Sequence, residues 1–590
     1  MSMQGRYIED DRLSALAEQS ARLCRKAGPV PAKATVSKLR AAMNDIDTAY
    51  GKVSERFGMA ASVPDACRWL LDNRYIAVRE AKCAIAAFLR EKSLRGSEVG
   101  VILLDMCRTL VDAGLGKVTE ERCRLFLDGY QTVSVLPRKE LYLFPAALRT
   151  ALIERLAGLC RELLSTNTPE KLTDGFAAVF TSLRLVSGLD MQCLLEAVDV
   201  SEKLLRSDPA GVYPEMDDLS RAYYRERLSR LAKANSMEEH YLAKHLIKLC
   251  SQSDGEARHV GYYLFTKPLG KDEKAPGGAL YITANVLLTL FLTLLCGFLS
   301  HSVIAAVLLL LPISELTKNL LDYVILLCVP PRRMPRLELR SGVPDAAKTV
   351  CVISALLSDK EAGQKLAGRI EEFYLTNRRC GKNLMFGILA DLPEAACAVT
   401  DNDAALIQSA AGAVNKLNEK YSGGFYLFTR PRTEDLSRHR FCGFERKRGA
   451  VLSLAAMLCG KKSELSVCAG NAEALVGAKY IVTLDSDTNP TPDSLCELIG
   501  AITHPLNAPK LDRENGCVVS GHGIIHPRMN YELSSVGKTD FSRIFAGVGG
   551  TEPYSVLCGE LYTDLFDAGG FSGKGIIDAE ALYVCSNAHI

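Results

Sequence analysis

No Cys-x-x-Cys pair occurs in this chain, although it carries 20 cysteines among 590 residues. Without such pairs, zinc clusters and thioredoxin-type redox chemistry lack support. Thiols scattered from Cys24 to Cys585 fit a reducing compartment. Charge of one sign is not in excess either. The 71 Lys and Arg face 69 Asp and Glu, and that balance gives no reason to expect a nucleic-acid partner. The amino terminus shows no signal-peptide pattern, and no fixed-period repeat marks a solenoid. Tryptophan is almost missing, with Trp69 the single instance. What is there is 48% hydrophobic and 24% charged, over a length too great for one domain.

Three parts can be read along the chain. Residues 1–275 form a helical domain, because apolar residues recur at three and four through Ala66–Leu89, Leu148–Leu163 and Asp217–Cys250. Such a domain is expected to pack and to carry no chemistry. Residues 276–331 form a transmembrane hairpin. No charge interrupts Ala279–Leu299, and roughly 20 apolar residues span a bilayer core. A second run from Val303 continues to Val329, interrupted by Glu315, Lys318 and Asp322. It reads as a second span, or as a short span followed by an interfacial helix; a buried soluble hairpin is the alternative to both. Lys267, Lys271 and Lys274 precede the pair and Arg332, Arg333 and Arg336 follow it, which puts both ends in the cytoplasm with the tip near His301.

Residues 332–590 alternate strands with helices and read as an open α/β sheet whose sites lie at the carboxyl ends of its strands. Strands are expected at Thr349–Leu357, Leu384–Asp391, Gly424–Arg430 and Tyr480–Leu484, and helices at Glu361–Asn377, Ala404–Tyr421 and Arg448–Leu458.

Asp391, Asp485 and Asp487 fall at strand ends. Asp485 and Asp487 are one residue apart, so in an extended segment they share a face. Paired carboxylates at the rim of a buried strand suit a hard divalent cation that takes its other oxygens from a phosphate. Asp-Ser-Asp-Thr-Asn is also ordinary turn chemistry. The cluster Arg446-Lys447-Arg448 precedes a helix, where anions are favoured; three basic residues also make a plain solvated patch. The Gly-rich stretch ending in Gly573-Lys574-Gly575 has no Ser or Thr after the lysine and does not fit a phosphate-binding Walker loop. It lines a sugar pocket or makes turns. His504, His522 and His526 are expected to be free loop histidines rather than ligands.

The chain resembles the glycosyltransferase portion of cyclic β-1,2-glucan synthases, glycosyltransferase family 84. The resemblance rests on Tyr224-Arg-Glu-Arg-Leu, His259-Val-Gly-Tyr-Tyr, Val329-Pro-Pro-Arg-Arg-Met-Pro-Arg, Gly443-Phe-Glu-Arg-Lys-Arg-Gly, Leu484-Asp-Ser-Asp-Thr, His504-Pro-Leu-Asn, Gly523-Ile-Ile-His-Pro-Arg and Gly573-Lys-Gly-Ile-Ile-Asp578, in that order. It implies a GT-A-like, Rossmann-type glycosyltransferase domain in a multi-pass protein of the bacterial inner membrane, with the amino-terminal and transferase domains in the cytoplasm. Further implied are UDP-glucose as donor, Mg or Mn as cation, membrane lipid around the hairpin, and a growing β-glucan attached to the protein, for which Tyr554 and Tyr562 are candidate sites. Asp391 would contact uracil, Lys447 and Arg448 the diphosphate side, and Asp485 and Asp487 the metal. The reaction implied is an inverting displacement. Its general base, in a Ser-His-Asp-type motif, is expected beyond Ile590, so the chain reads as a truncated, inactive or weakly active form. Neither Asp578 nor Glu580 is promoted to that role. A catalytically dead donor-binding or scaffold protein and a processive linear β-glucan synthase are the other readings.

Overall fold

The structure is a computed structural model; it describes residues 7–24, 26–57, 62–98, 100–268, 278–328, 333–437, 439–527, 529, 538–545, 565–566 and 571–587. Two compact units divide the chain. One comprises residues 1–209 and 227–254, the other residues 210–226 and 255–590. The division departs from the expected boundary at 275, because residues 210–226 and the segment after 254 pack with the second unit.

The first unit is helical, as its periodicity indicates. Helices Ala32–Phe57, Asp65–Leu89, Ile102–Ala113, Glu120–Val133 and Phe144–Ser165 close over one apolar core that includes Leu39, Leu70, Phe88, Phe126, Phe144 and Phe180. Thr119, Asp190 and Asp199 cap helices by accepting backbone N–H groups. A two-stranded antiparallel ribbon, β1 (Lys26–Pro31) with β2 (Ser93–Ser97), is an addition that helical periodicity does not announce. The bent pair Pro169–Gly188 and Met191–Val198 is apolar enough for a span, yet Phe176, Phe180, Leu183 and Leu195 are buried in this core.

Two further helices are long and apolar enough to cross a membrane, Gly278–Leu299 and Val303–Ile325. The second helix runs unbroken to Cys328 through Pro312, as one helix rather than two. His301, with φ +50°, sits in the tight connection between them. Large apolar side chains cover the outside of both helices, including Leu287, Phe291, Phe298, Val303, Ile304 and Leu311. Polar groups are handled inside the pair: the Tyr281 hydroxyl donates to Asp322 Oδ1 at 2.6 Å, and Lys318 lies 3.6 Å from the same carboxylate. This is the surface of a membrane protein. Of the basic flanks, Lys267 and Arg333 are described, Lys271, Lys274 and Arg332 lie outside the described residues, and Arg336 is engaged by Asp217 and Glu497 at 2.7 and 2.6 Å.

The rest of the second unit is built on a mixed seven-stranded sheet. Its strands are β3 (Thr349–Leu356), β4 (Leu384–Asp391), β5 (Phe425–Thr429), β8 (Ser466–Ala469), β9 (Tyr480–Leu484), β12 (Ile524–Ile525) and β13 (Gly575–Asp578), in the order β12-β13-β9-β3-β4-β5-β8. Two small ribbons, β6 (Thr433–Asp435) with β7 (Arg440–Cys442) and β10 (Lys510–Asp512) with β11 (Cys517–Ser520), lie outside it. The four central strands are parallel, and β8 and β13 join antiparallel. Both faces are covered, which explains why β4, β5 and β9 are buried along their whole length. Alternation sorts the side chains: Cys351 and Ile353 pack with helices Ala362–Thr376 and Asp403–Tyr421, while Val350 and Val352 pack with helix Arg446–Leu458. The chain winds from β3 outward through β4 to β5, and β9 then returns to the other side of β3. Such a reversal, here at the carboxyl ends of β3 and β9, is where open α/β sheets form a ligand crevice.

Candidate nucleotide-sugar site

Asp485 follows the last residue of β9 directly and stands at that crevice. The turn beyond it is fixed from behind. Thr488 N–H donates to the Asp485 carbonyl at 3.1 Å. Arg369, on helix Ala362–Thr376, donates to the carbonyls of Ser486 and Thr488 at 3.0 and 3.3 Å and to Asn489 Oδ1 at 2.7 Å. The Asp-Ser-Asp-Thr-Asn segment is therefore both a turn and a carboxylate platform. Asp487 is exposed on it.

Lys447 reaches Asp485. Its Nζ is 2.5 Å from Asp485 Oδ1 and 2.5 Å from the Gly573 carbonyl oxygen. Lys574 approaches the other carboxylate oxygen, Oδ2, at 3.3 Å. Burial pushes the Asp485 carboxyl up, but the two ammonium groups outweigh it and hold the group below its ordinary range. The helix bearing Lys447 begins at Arg446, two residues earlier than its periodicity suggests, so the basic cluster forms the first turn. Glu445 and Arg446 enter it with φ of +48° and +45°. Only Lys447 turns toward the carboxylate. Arg448 is 75% exposed and lies 3.4 Å from Glu445, so the structure does not bring it to Asp485.

Asp391 ends β4 in a different setting. Both its oxygens accept from Arg430, at 2.7 and 2.9 Å, and the guanidinium is only 2% exposed. Arg430 also donates to the carbonyls of Phe444 and Arg446 at 2.8 and 2.6 Å. The fork thus ties the end of β4 to the loop that launches Lys447. Glycine is required along that loop. A Cβ on Gly443 would lie 2.7 Å from the Asp391 carboxyl atoms, and one on Gly449 would lie 2.1 Å from the Phe444 carbonyl oxygen.

Arg432 repeats the device two residues later, with a fork to Asp403 at 2.6 and 2.8 Å and a bond to the Pro393 carbonyl at 2.6 Å. The Arg432 guanidinium holds the Asp403 carboxyl well below the usual carboxylate range, burial opposes it, and the Thr400 N–H and hydroxyl assist. A depressed folded-state value stabilises the fold fully above the unfolded carboxyl range. That contribution drains away as pH falls below about 4. Asp403→Asn should accordingly melt earlier than the parent at pH 7 and lose less melting temperature between pH 5 and pH 3. Equal losses in both proteins would show that the pair does not shape acid stability.

His504 and His526 are not free loop residues, which corrects that expectation for these two. His504 is fully buried, 3.4 Å from the Tyr224 hydroxyl, which in turn lies 2.8 Å from His259 Nε2. Burial pushes His522 down. His526 Nδ1 faces the Pro527 carbonyl at 2.7 Å, an atom that only accepts, so this nitrogen carries the proton and Nε2 accepts from Ser572 Oγ at 2.5 Å. Burial holds the His526 value low, the Pro527 carbonyl opposes that, and the Lys574 ammonium adds to it.

Lys574 and His526 stand in stretches that the sequence points to, but their contacts with Asp485 and Ser572 are not legible there. Arg430 carries a signal that could have found it, a charged residue directly after a fully buried strand. Asp578 lies opposite Tyr480 in the antiparallel β9–β13 pair, at the far end of β9 from Asp485, and accepts the Ala581 N–H at 2.9 Å as a helix cap. Glu580 pairs with Arg513. Tyr554 and Tyr562 lie outside the described residues. No group of three or more His, Cys, Asp or Glu side chains gathers as a metal cage among the described residues. Asp485 and Asp487 still offer hard carboxylate oxygens, the donor type that suits a divalent cation completing its shell from a ligand.

No family model matches the chain. A curated protein similar to it is the cyclic beta-(1,2)-glucan synthase NdvB of Rhizobium meliloti (strain 1021), 24% identical over 90% of this chain. The match takes up 23% of the synthase, so the chain spans about a quarter of that relative's length. This membrane protein is a distant relative of a cyclic β-(1,2)-glucan synthase.

Proposed function

We propose that the sheet unit is a GT-A-like glycosyltransferase domain that binds UDP-glucose with Mg or Mn, and that the chain is a membrane-bound inverting glucosyltransferase of β-1,2-glucan synthesis. The observation that carries this reading is Asp485, at the carboxyl end of a buried strand beside the reversal in strand order, with a lysine on each oxygen. A carboxylate flanked by two cations is prepared for a metal–diphosphate pair. The relative's name supplies the glucan.

In this reading Lys447, in the first turn of its helix, meets the diphosphate, assisted by helix N–H groups. Asp485 and Asp487 hold the cation, which when bound would stabilise charge on the departing diphosphate. Asp391, locked by Arg430, fixes the wall on the nucleobase side. An acceptor hydroxyl of the growing glucan would attack the anomeric carbon opposite the departing UDP and give its proton to a general base, a role assigned to none of these residues. The donor claim is tested by calorimetric titration of the full chain, in detergent, with UDP in the presence and absence of Mn²⁺. Saturable binding that needs the cation, and that UDP-glucose displaces while GDP-glucose does not, is the expected result. A flat titration under both conditions would remove the donor reading.

A further inference from the structure

The four charged side chains of the crevice come from three separate stretches of chain. Asp485 and Asp487 follow β9, Lys447 sits in the first turn of helix Arg446–Leu458, and Lys574 precedes β13. Lys574 is only 15% exposed and Lys447 29%, against 37% for Asp485, so both lysine side chains are less exposed than the carboxylate they flank. The loop that delivers Lys574 is tied in: the Gly573 carbonyl accepts from Lys447 at 2.5 Å and from the Thr483 hydroxyl at 3.4 Å. Gly573 has φ +79°, a conformation that favours glycine.

We propose that Lys574 is a second diphosphate-binding residue, and that Lys447 and Lys574 together form a charge lock on Asp485 that makes cation and nucleotide bind as a pair. The inference rests on the donor reading above. With no ligand, the two ammonium groups satisfy both oxygens of Asp485, the atoms a divalent cation needs. A cation arriving alone must displace them from the carboxylate and sets a new positive charge beside two ammonium groups. A diphosphate arriving alone finds those groups already committed to Asp485. When both arrive, the cation takes the carboxylate and the lysines pass to the phosphate oxygens, so each charge keeps a partner. Such an exchange is a coupling free energy between the two ligands, and it is reciprocal.

The experiment measures Mn²⁺ affinity of the full chain with and without saturating UDP, by calorimetry or by the paramagnetic signal of free Mn²⁺. The parent is expected to bind Mn²⁺ at least about tenfold more tightly when UDP is present. Lys574→Met should bind Mn²⁺ alone more tightly than the parent, bind UDP less tightly with Mn²⁺ present, and show a coupling factor reduced several-fold. Lys574→Arg should keep most of the coupling. Lys447→Met, acting on the opposite oxygen, gives the same readout if Lys574→Met does not fold. If Lys574→Met retains the parent's Mn²⁺ affinity and coupling while UDP binding in the parent still needs the cation, the lock is wrong and the donor site stands. If the parent binds neither ligand, the donor reading itself falls.

Discussion

Asp485→Ala/Asp487→Ala is expected to lower cation-dependent UDP binding by more than the roughly 10–100-fold that loss of an outer-shell partner costs a metal site. The two carboxylates are the hard oxygens at the crevice, and Asp485 is the one that both lysines address. The fold should survive the change. β9 ends at Leu484, before either residue, and Arg369 holds the following turn through the carbonyls of Ser486 and Thr488, which the substitution keeps. Lys447 keeps its bond to the Gly573 carbonyl and Asp485 is itself more than a third exposed, so the melting temperature should move by only a few degrees. Calorimetry gives the binding arm and a thermal melt gives the control. If the double variant still bound UDP and Mn²⁺ like the parent, Asp-Ser-Asp-Thr-Asn would be a turn and nothing more.

The largest effect on stability is expected from Asp391→Ala. It removes the only carboxylate paired with the Arg430 guanidinium among the described residues, and that group is 2% exposed. Breaking a buried ion pair from one side costs about 3–5 kcal/mol, because the remaining charge is left without its counter-charge. The Phe444 and Arg446 carbonyls still accept from Arg430 and soften the loss. For the sheet unit this corresponds to a fall in melting temperature on the order of 10 °C. Replacing both partners, as Asp391→Leu/Arg430→Met, should recover much of the stability, since a well-packed apolar pair avoids the desolvation of two ions. The double variant should nonetheless bind UDP poorly, because the loop launching Lys447 is no longer anchored. An Asp391→Ala protein as stable as the parent would show that Arg430 finds another anion or water.

The sequence by itself determined the local elements. The uncharged run Ala279–Leu299 gives the first membrane helix, observed at Gly278–Leu299. The apolar runs at Thr349, Leu384 and Tyr480 give buried parallel strands because both sheet faces are covered. Helices expected at Glu361–Asn377 and Ala404–Tyr421 occur at Ala362–Thr376 and Asp403–Tyr421. These signals are legible because burial imposes a period of two or of 3.6 on neighbouring residues. Asp391, Asp485 and Asp487 could be named because they fall at expected strand ends, and Lys447 because its basic cluster precedes a helix, while the family resemblance supplied their roles. Only the tertiary structure decided their partners. Arg430 meets Asp391 across 39 residues, Lys447 meets Asp485 across 38, and Gly573 meets Lys447 across 126. Lys574 reaches Asp485 only because β13 inserts antiparallel beside β9, and no local period encodes which distant strand takes that edge. The physical reason is the same in each case: a hydrophobic pattern reports which face of an element is buried, whereas an ion pair depends on the order in which buried elements stack.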